Sequence, residues 1–416
     1  MATRTEAPPR PGRTPPPRKP EPRKAPARPG RPASGIGKAV RAARAAWREG
    51  GRERPPAYYA LLSNILVLNL VGLVMVLSSS SVEALANYGS SWLFFKRQFL
   101  WTILGLVAMV AASRFDYRRL QRHVGLLLVA SAGLLILVLV PGVGISVNGS
   151  TRWLGVGALR FQPSELAKLA ILVYAADVLT RRAPLVAEWR EVLRPVALVF
   201  CGFGALVMLQ PDMGTTIVMS ILTGTVLFVG GLRMRHLLVV GVGGVAAGAV
   251  LAVIEPYRRA RLLSFVDPFS AGHAQAGGYQ VAQSLIALGS GGWTGVGLGA
   301  GRAKWLFLPN AHTDFIFAVI GEELGLVGCA LVVFLFGALT VFGVRAALRA
   351  PDRFGTLLAA GITGWVVGQA LVNIGAVTGL LPVTGVPLPF VSFGGSALLF
   401  TMAAAGVLLN VARQGR

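Results

Sequence analysis

Apolar runs of about 20 residues recur along nearly the whole chain, and they restrict its possible folds more than any other feature. A helical run of that length spans the hydrocarbon core of a bilayer. The chain is 54% hydrophobic and only 14% charged, as a membrane protein requires. The sequence therefore predicts an all-α polytopic membrane protein with about ten transmembrane helices. The predicted spans lie at 58–79, 98–113, 123–141, 164–180, 193–210, 213–231, 236–254, 315–344, 356–378 and 391–411.

The loops between these spans alternate in charge. Arginines cluster at 114–122 and 181–194, whereas the loop 379–390 has no charged residue. Lys96 and Arg97, at the outer end of the second span, are an exception. Because Lys and Arg accumulate in cytoplasmic loops, the pattern predicts an even number of spans with both termini in the cytoplasm.

The first 56 residues differ in composition from the rest. They contain 13 of the 25 prolines, and 15 Lys and Arg against 4 Asp and Glu. We expect a disordered basic cytoplasmic tail over 1–56, a membrane domain over 57–412 and a cytoplasmic end over 413–416. The tail holds about half of the net charge of +23, so the charge does not indicate a nucleic-acid partner. Residues 38–49 fit either an interfacial helix on anionic lipid or a solvated basic segment.

Two outer segments, 142–163 and 255–314, are too long to be simple connections. A loop of about sixty residues in a compact membrane protein is usually functional. Within the second segment, residues 279–288 are apolar but too short to span, which predicts an interfacial or re-entrant helix capped by Gly289. We expect 255–314 to be an extracytoplasmic catalytic loop.

Asp314 ends this loop and directly precedes an apolar helix. Two interpretations are open and can coexist. Thr313 or Asp314 could cap the helix, where a carboxylate also complements the positive helix end. Alternatively, Asp314 is a base beside His312, Lys304 and Arg261, an arrangement that suits an acceptor hydroxyl meeting an anionic, phosphate-bearing donor. Arginines of this loop fit lipid headgroup contacts as well.

Other carboxylates lie at membrane depth or at its edge. Glu322 and Glu323 fall inside an apolar run and on different faces, which predicts pairing with a cation or backbone for one and a neighbouring groove for the other. Glu165 and Lys168 are three residues apart, as an intrahelical ion pair requires. Asp212 lies in the Pro-Asp-Met-Gly-Thr turn between two spans, where a turn or cap role is the default.

The segment 381–396 carries three prolines and several glycines beside a membrane span. Irregular backbone at that depth is tolerated only where it is buried in protein or lines a cavity. We therefore predict that it forms a wall of the outer cavity, with Ser392 and Ser396 as hydrogen-bonding groups.

In chain order, three groups of residues resemble the three signatures of the SEDS family (shape, elongation, division and sporulation). The first lies within 148–168, the central one within 261–325 and the third within 382–396. The quoted residues are Asn148-Gly149, Arg152-Trp153, Phe161-Gln162-Pro163-Ser164-Glu165, Lys168, Arg261, Phe265-Val266-Asp267-Pro268, Gly278-Tyr279-Gln280, Gln283-Ser284, Gly295-Val296-Gly297-Leu298-Gly299, His312-Thr313-Asp314-Phe315-Ile316-Phe317, Glu322-Glu323-Leu324-Gly325 and Pro382 to Ser396.

This resemblance implies a peptidoglycan glycosyltransferase of the bacterial cytoplasmic membrane. Such enzymes polymerise lipid II at the outer face and act with a class B penicillin-binding protein. The run Gly321-Glu322-Glu323-Leu324-Gly325 and the long basic tail are more similar to the division members than to the elongation members. That similarity implies a protein at the division septum, whose tail contacts other division proteins.

The family's essential aspartate corresponds to Asp314. The resemblance implies that Asp314 deprotonates the 4-hydroxyl of the acceptor lipid II, with the growing undecaprenyl-diphosphate-linked glycan as donor. Arg261, Lys304 and a divalent cation such as Mg²⁺ or Mn²⁺ would neutralise the leaving group, and Asp212, Glu322 and Glu323 would support the site. The predicted substrate-binding residues are Arg152, Glu165, Lys168, Arg261, Gln280, Gln283, Ser284, Lys304, His312, Thr313, Ser392 and Ser396.

A lipid II flippase is the rival class, because Glu165, Lys168, Glu322 and Glu323 could line a polar path for a headgroup. The polar residues cluster on the outer side, however, and no inverted repeat is visible, which favours the enzyme. A non-catalytic scaffold is the third alternative.

Overall fold

The computed structural model describes residues 55–147, 150–156, 159–185, 188–254, 265, 269 and 278–415 of the 416-residue chain. Most of this part is helical. The α-helices are α1 (Pro56–Tyr88), α2 (Leu93–Arg114), α3 (Arg118–Arg122), α4 (Val124–Leu139), α5 (Pro163–Arg181), α6 (Trp189–Met208), α7 (Met213–Val229), α8 (Met234–Ile254), α9 (Gly278–Ser290), α10 (Ile316–Leu348), α11 (Arg353–Val377) and α12 (Gly395–Gln414).

The predicted spans all fall on these helices. By length and apolar composition, 6 helices of the described part can cross a membrane, namely α1, α2, α6, α10, α11 and α12. Helices α4 and α7 are apolar but shorter, as is the stretch Met234–Gly244 of α8. The polytopic helical fold is confirmed, and the count of ten spans stays a prediction. The predicted tail, apart from its last two residues, lies outside the described residues.

Helix α11 lies at the centre of the bundle, and 78% of its most apolar 18-residue stretch is buried. Its glycines allow close approach to neighbouring helices. A Cβ at Gly361 would lie 2.2 Å from Cδ1 of Leu172 on α5, and one at Gly368 would lie 2.4 Å from Cγ2 of Ile221 on α7. Small residues at such contacts are typical of packed membrane helices. Polar side chains of α11 are therefore held at fixed positions between α5, α7 and α10.

A small antiparallel sheet interrupts the helical pattern on the outer segment 142–163, and the sequence patterns did not predict it. Its strands are β1 (Ile145–Val147), β2 (Ser150–Val156) and β3 (Leu159–Phe161), in the order β1-β2-β3. Strand β3 leads directly into α5, whose first residue is Pro163. Proline is favourable there because the amide of the first helical residue has no hydrogen-bond partner within the helix. The sheet thus brings Arg152 close to the N-terminal ends of α5 and α7.

Helix α10 is broken at Gly325, where φ is 67° and ψ is −162°. The loop between α9 and α10 supplies hydrogen bonds across this break. The amides of Leu326 and Val327 donate to the carbonyls of Gly292 (2.9 Å) and Trp293 (3.1 Å). In the other direction, the amides of Val296 and Gly297 donate to the backbone carbonyls of Glu322 and Glu323, at 3.0 and 3.1 Å. The loop backbone therefore replaces part of the regular helical ladder and is fixed to α10.

Helix α9 has 13 residues and is too short to span a bilayer, as predicted. It continues through Gly289 to Ser290, so the predicted cap at Gly289 is wrong. The chain turns after the end of the helix, at Gly292, whose φ of +54° favours glycine. On the buried face of α9, the hydroxyl of Ser284 donates to the carbonyl of Val377 at 2.7 Å.

Candidate functional site

Asp314 is half-buried and directly precedes Phe315, the residue before the first residue of α10. The N-cap position is Phe315, which has no side-chain cap hydrogen bond, so the prediction of Thr313 or Asp314 as N-cap is wrong. A compact turn precedes the helix instead. The amides of Thr313 and Phe315 both donate to the carbonyl of Asn310, at 3.1 and 3.3 Å. The hydroxyl of Thr313 donates to the same carbonyl.

Three consecutive carbonyls of this turn are held by the C-terminal third of the chain. The carbonyl of His312 accepts from the amide of Phe393 at 2.9 Å. The carbonyl of Thr313 accepts from the hydroxyl of Ser392 at 2.5 Å. The carbonyl of Asp314 accepts from Nδ2 of Asn373 at 2.7 Å. We call these three bonds the carbonyl clamp, and they fix the backbone on which Asp314 stands.

The irregular segment between α11 and α12 lies against the Asp314 carboxylate. Gly385 has a φ of +72°, and a Cβ there would lie 3.6 Å from Oδ2 of Asp314. Asn373 also donates to the carbonyl of the next residue, Val386, at 2.8 Å. Glycine at this position therefore permits the backbone conformation, and the segment runs within van der Waals distance of the carboxylate.

His312 is buried beside Asp314. Its Nδ1 lies 3.2 Å from Oε2 of Glu83, near the end of α1. Its ring centroid lies 4.7 Å from that of Phe94 and 5.5 Å from that of Phe393. The imidazole is thus fixed by packing on two sides and by a carboxylate, and it connects the Asp314 turn to α1.

Glu323 is fully buried, and its carboxylate is shared by two elements. Both of its oxygens accept from the hydroxyl of Ser78 on α1, at 2.8 and 2.6 Å. Its Oε1 lies 3.7 Å from Nζ of Lys304. The Lys304 ammonium also donates to the carbonyl of Gly299. Lys304 is 7% exposed, so its charge is held at the base of the loop.

Glu322 holds the same loop through its backbone. Its two carboxylate oxygens accept from the amides of Arg302 (2.7 Å) and Ala303 (3.0 Å). These amides begin the short π-helix Ala303–Phe307. The pairing with a cation or backbone that was predicted for one interior glutamate is confirmed and holds for both residues, so the neighbouring groove predicted for the other glutamate is wrong. Together they fasten the loop to α10.

The predicted ion pair on α5 is confirmed. Nζ of Lys168 lies 2.9 Å from Oε2 of Glu165, and it donates to Oε1 of Gln369 on α11 at 3.1 Å. The ammonium also lies 4.8 Å from the ring centroid of Trp365. Gln369 in turn donates to the carbonyl of Pro387 at 2.9 Å. The pair is therefore connected to the same irregular segment that borders Asp314.

Asp212 caps α7, as predicted, by accepting from the amide of Thr215 at 3.1 Å. It also accepts from Nε2 of Gln162 at 3.0 Å and lies 3.7 Å from Nη1 of Arg152. The hydroxyl of Ser396 accepts from the amide of Gln162 at 3.2 Å. This network connects the sheet with α5, α7 and α12, and Ser396 lies inside it with 1% exposure.

The remaining predicted residues are distributed as follows. Gln280 and Gln283 are half-buried on α9, and Ser284 is buried. Arg261, with Asn148 and Gly149 of the first signature, lies outside the described residues. Within the described ranges, no group of three His, Cys, Asp or Glu residues could hold a metal ion.

Four residues of this region were not predicted, namely Ser78, Glu83, Gln369 and Asn373. Gln369 and Asn373 are polar residues one helical turn apart in an apolar run, which is a signal for an interior site that sequence reasoning could have used. Ser78 and Glu83 gave no such signal, because their partners lie more than 200 residues away in the chain.

The chain matches a family model over residues 59–416, that of the FtsW, RodA and SpoVE proteins, described as cell cycle proteins. Stage V sporulation protein E of Bacillus subtilis is 42% identical over 352 residues, covering 84% of this chain and 95% of that protein. Probable peptidoglycan glycosyltransferase FtsW of Thioalkalivibrio sulfidiphilus is 46% identical over 359 residues, with coverages of 85% and 89%.

Solved structures agree with this assignment. Rod shape determining protein RodA of Thermus thermophilus has a TM-score of 0.65 at 31% identity, covering 87% of this chain and 98% of that chain. A chain from a study of polymerization and crosslinking by a peptidoglycan synthase complex has a TM-score of 0.70 at 35% identity, with coverages of 85% and 97%. The similarity thus extends over the whole helical region, and the chain belongs to the FtsW/RodA/SpoVE family of cell cycle proteins.

Proposed function

We propose that this protein is a peptidoglycan glycosyltransferase that polymerises lipid II at the outer face of the bacterial cytoplasmic membrane during cell division. The names of its relatives support the reaction class, since several FtsW proteins at 40–46% identity are probable peptidoglycan glycosyltransferases. The structural observation that carries the proposal is the position of Asp314. The carbonyl clamp fixes its backbone, and the turn at Gly385 borders its carboxylate.

The proposed reaction is a single displacement with Asp314 as general base. The carboxylate takes the proton of the 4-hydroxyl on the GlcNAc of the acceptor lipid II. That oxygen forms a bond to the anomeric carbon of the growing glycan, and the bond from this carbon to the diphosphate breaks. Undecaprenyl diphosphate leaves with the electron pair, and the anomeric configuration inverts. A lone base differs from the paired carboxylates of glycoside hydrolysis.

The described cations constrain how the leaving group is neutralised. Lys304 is held by Glu323 and Gly299, and Arg152 donates to the backbone carbonyls of Gln210 and Pro211. In this arrangement Lys304 positions the loop, and its positive charge attracts the diphosphate only weakly because Glu323 compensates it. Arg261 remains the proposed direct contact for the diphosphate.

The proposed partner is a class B penicillin-binding protein, which would crosslink the strands that this chain polymerises. Similarity to a chain of a peptidoglycan synthase complex supports this assignment. We propose that both termini are cytoplasmic, that the protein acts at the septum and that the tail contacts other division proteins. An elongation polymerase of the RodA type is the nearest alternative, since a RodA structure is also similar.

Lipid II polymerisation by the purified, reconstituted protein with its penicillin-binding partner tests the proposal. A β-lactam blocks crosslinking, and Asp314→Asn is compared with Asp352→Asn, a carboxylate at the other end of the bundle. We expect glycan ladders from the wild type and Asp352→Asn, and a loss of about 10²–10⁴-fold for Asp314→Asn. Equal ladders from Asp314→Asn would exclude it as the base. No ladder from the wild-type complex would favour the flippase, and a lipid II translocation assay in the same vesicles would then decide.

A further inference from the structure

Helix α11 presents two amide side chains, one turn apart, to the irregular segment between α11 and α12. Gln369 donates to the carbonyl of Pro387, and Asn373 donates to the carbonyl of Val386. Their exposed fractions are 1% and 2%. A buried amide is stabilising only where its donors are satisfied, so both side chains are committed to these backbone contacts.

Asn373 differs from Gln369 because its second contact is the Asp314 residue itself. Nδ2 donates to the carbonyl of Asp314 at 2.7 Å and to that of Val386 at 2.8 Å. A primary amide carries two donor hydrogens in one plane, so one NH₂ group can hold two carbonyls at a fixed separation. One carbonyl belongs to Asp314 itself. The other belongs to Val386, which directly follows Gly385, the residue that borders the Asp314 carboxylate.

The other two bonds of the carbonyl clamp do not duplicate this contact. Phe393 and Ser392 hold the carbonyls of His312 and Thr313, and neither reaches the carbonyl of Asp314. Rotation about the backbone bonds of Asp314 would move its carboxylate relative to Gly385. The bond from Asn373 opposes that rotation from the carbonyl side.

We propose that Asn373 is a positioning residue that sets the distance between the Asp314 carboxylate and the acceptor hydroxyl. This inference rests on the proposed function, because it requires Asp314 to be the base. Asn373 holds the turn of Asp314 against the segment of Gly385. Displacing a reacting group by about 1 Å can cost on the order of 10²-fold in rate.

The test compares Asn373→Ala with Asn64→Ala in the reconstituted complex. Asn64 is a matched control, since its Nδ2 donates to the carbonyl of Leu335 at 3.0 Å between α1 and α10, remote in sequence from the Asp314 turn. We expect Asn373→Ala to lower kcat about 10- to 100-fold while the KM for lipid II changes less than about 3-fold. Asn64→Ala should lower the yield of folded protein and leave kcat per folded molecule unchanged.

Amide hydrogen exchange gives a readout that does not depend on activity. Without the Asn373 bond, the amides of Thr313 and Phe315 should exchange faster, whereas in Asn64→Ala they should match the wild type. Asn373→Ser is the second variant if Asn373→Ala does not fold, because serine is small and cannot hold both carbonyls.

Asp314→Asn separates failure of this inference from failure of the proposed function. If Asp314→Asn keeps a measurable residual rate and adding Asn373→Ala does not lower that rate further, the two residues act as one unit. If Asp314→Asn is inactive but Asn373→Ala keeps the wild-type kcat and exchange rates, the inference is wrong and the proposed base remains. Polymerisation by Asp314→Asn at the wild-type rate would overturn both.

Discussion

Glu165 and Lys168 form an ion pair of 2.9 Å in which the exposed fractions of the two side chains are only 4% and 2%. Both residues lie on α5, and the Lys168 ammonium also donates a hydrogen bond to Gln369 on α11. Two charges are buried here at the cost of their hydration, so each requires the other. The pair is consequently a structural element of the bundle whatever contact it makes with substrate.

Removing one partner of this pair should destabilise the protein more than removing both. Lys168→Met or Glu165→Gln alone leaves a buried charge or an unmatched amide, and we expect a loss on the order of 3–5 kcal/mol for the uncompensated charge. The double variant should be closer to the wild type. Thermal unfolding of the detergent-solubilised proteins measures this, and additive losses would contradict it.

Replacing either interior glutamate should affect folding before catalysis. Glu323→Gln leaves Lys304 without its counter-charge, and Glu322→Gln weakens the bonds to the amides of Arg302 and Ala303. We expect a lower yield of folded protein and a near-normal specific activity of the folded fraction. The half-exposed Glu191 is the control, because Glu191→Gln removes only a surface pair with Arg182. A normal yield with lost activity would place the glutamates in the chemistry.

Alanine at Gly385 should impair polymerisation more than its backbone strain explains. A residue with a side chain at φ +72° costs about 1–2 kcal/mol, and its Cβ would contact the Asp314 carboxylate. Gly89 is a matched control, with φ +71° and open space around a Cβ. We expect the two variants to lose similar thermal stability, while only Gly385→Ala loses about tenfold or more in rate. Equal rates in both variants would show that the space beside Asp314 is not used.

Acid should weaken the opposite end of the bundle through Asp352. Burial would raise the pKa of its carboxyl. Hydrogen bonds from the Tyr117 hydroxyl and the Gly355 amide, together with Arg118, outweigh burial and lower this pKa below its ordinary 3.8. The stabilisation is thus fully present above the unfolded pKa and is lost as the pH falls below about 4 through the folded pKa. Thermal unfolding at several pH values should show a slope that Asp352→Asn lacks.

Deleting residues 1–50 should leave polymerisation in vitro unchanged. The family match begins at residue 59, and every contact of the Asp314 turn described above comes from later residues. The comparison is between full-length and truncated protein at equal amounts of bound partner. A loss of rate in the truncation would assign the tail to the catalytic unit, which this prediction excludes.

Local chemistry of the sequence was sufficient for some parts of this structure. Spacing alone predicted the Glu165–Lys168 pair, and the Pro-Asp-Met-Gly-Thr turn predicted the cap at Asp212. Both depend on residues three apart, so no tertiary information is required. The helical spans followed equally from length and hydrophobicity.

Other parts depended on distant partners. The N-cap position is Phe315 and not Thr313 or Asp314, because the amides of the preceding turn donate to the carbonyl of Asn310. The hydrogen bond from Asn373 to Asp314 depends on the packing of α11 against this turn. The three strands near Arg152 are too short for a periodicity signal. Contacts between residues far apart in the chain decide where such side chains point, and the local spacing of residues does not predict these contacts.

Helix α1 supplies both Ser78 for Glu323 and Glu83 for His312, and this sets the order in which the bundle can be completed on the ribosome. Ser78 precedes Glu323 by 245 residues. At about 5–20 residues per second, α1 waits roughly 12–50 s for those partners to be synthesised. During that interval the first helix inserts and holds a hydroxyl and a carboxylate without their final contacts. The site around Asp314 is thus assembled late, when the last helices to be synthesised pack onto the first.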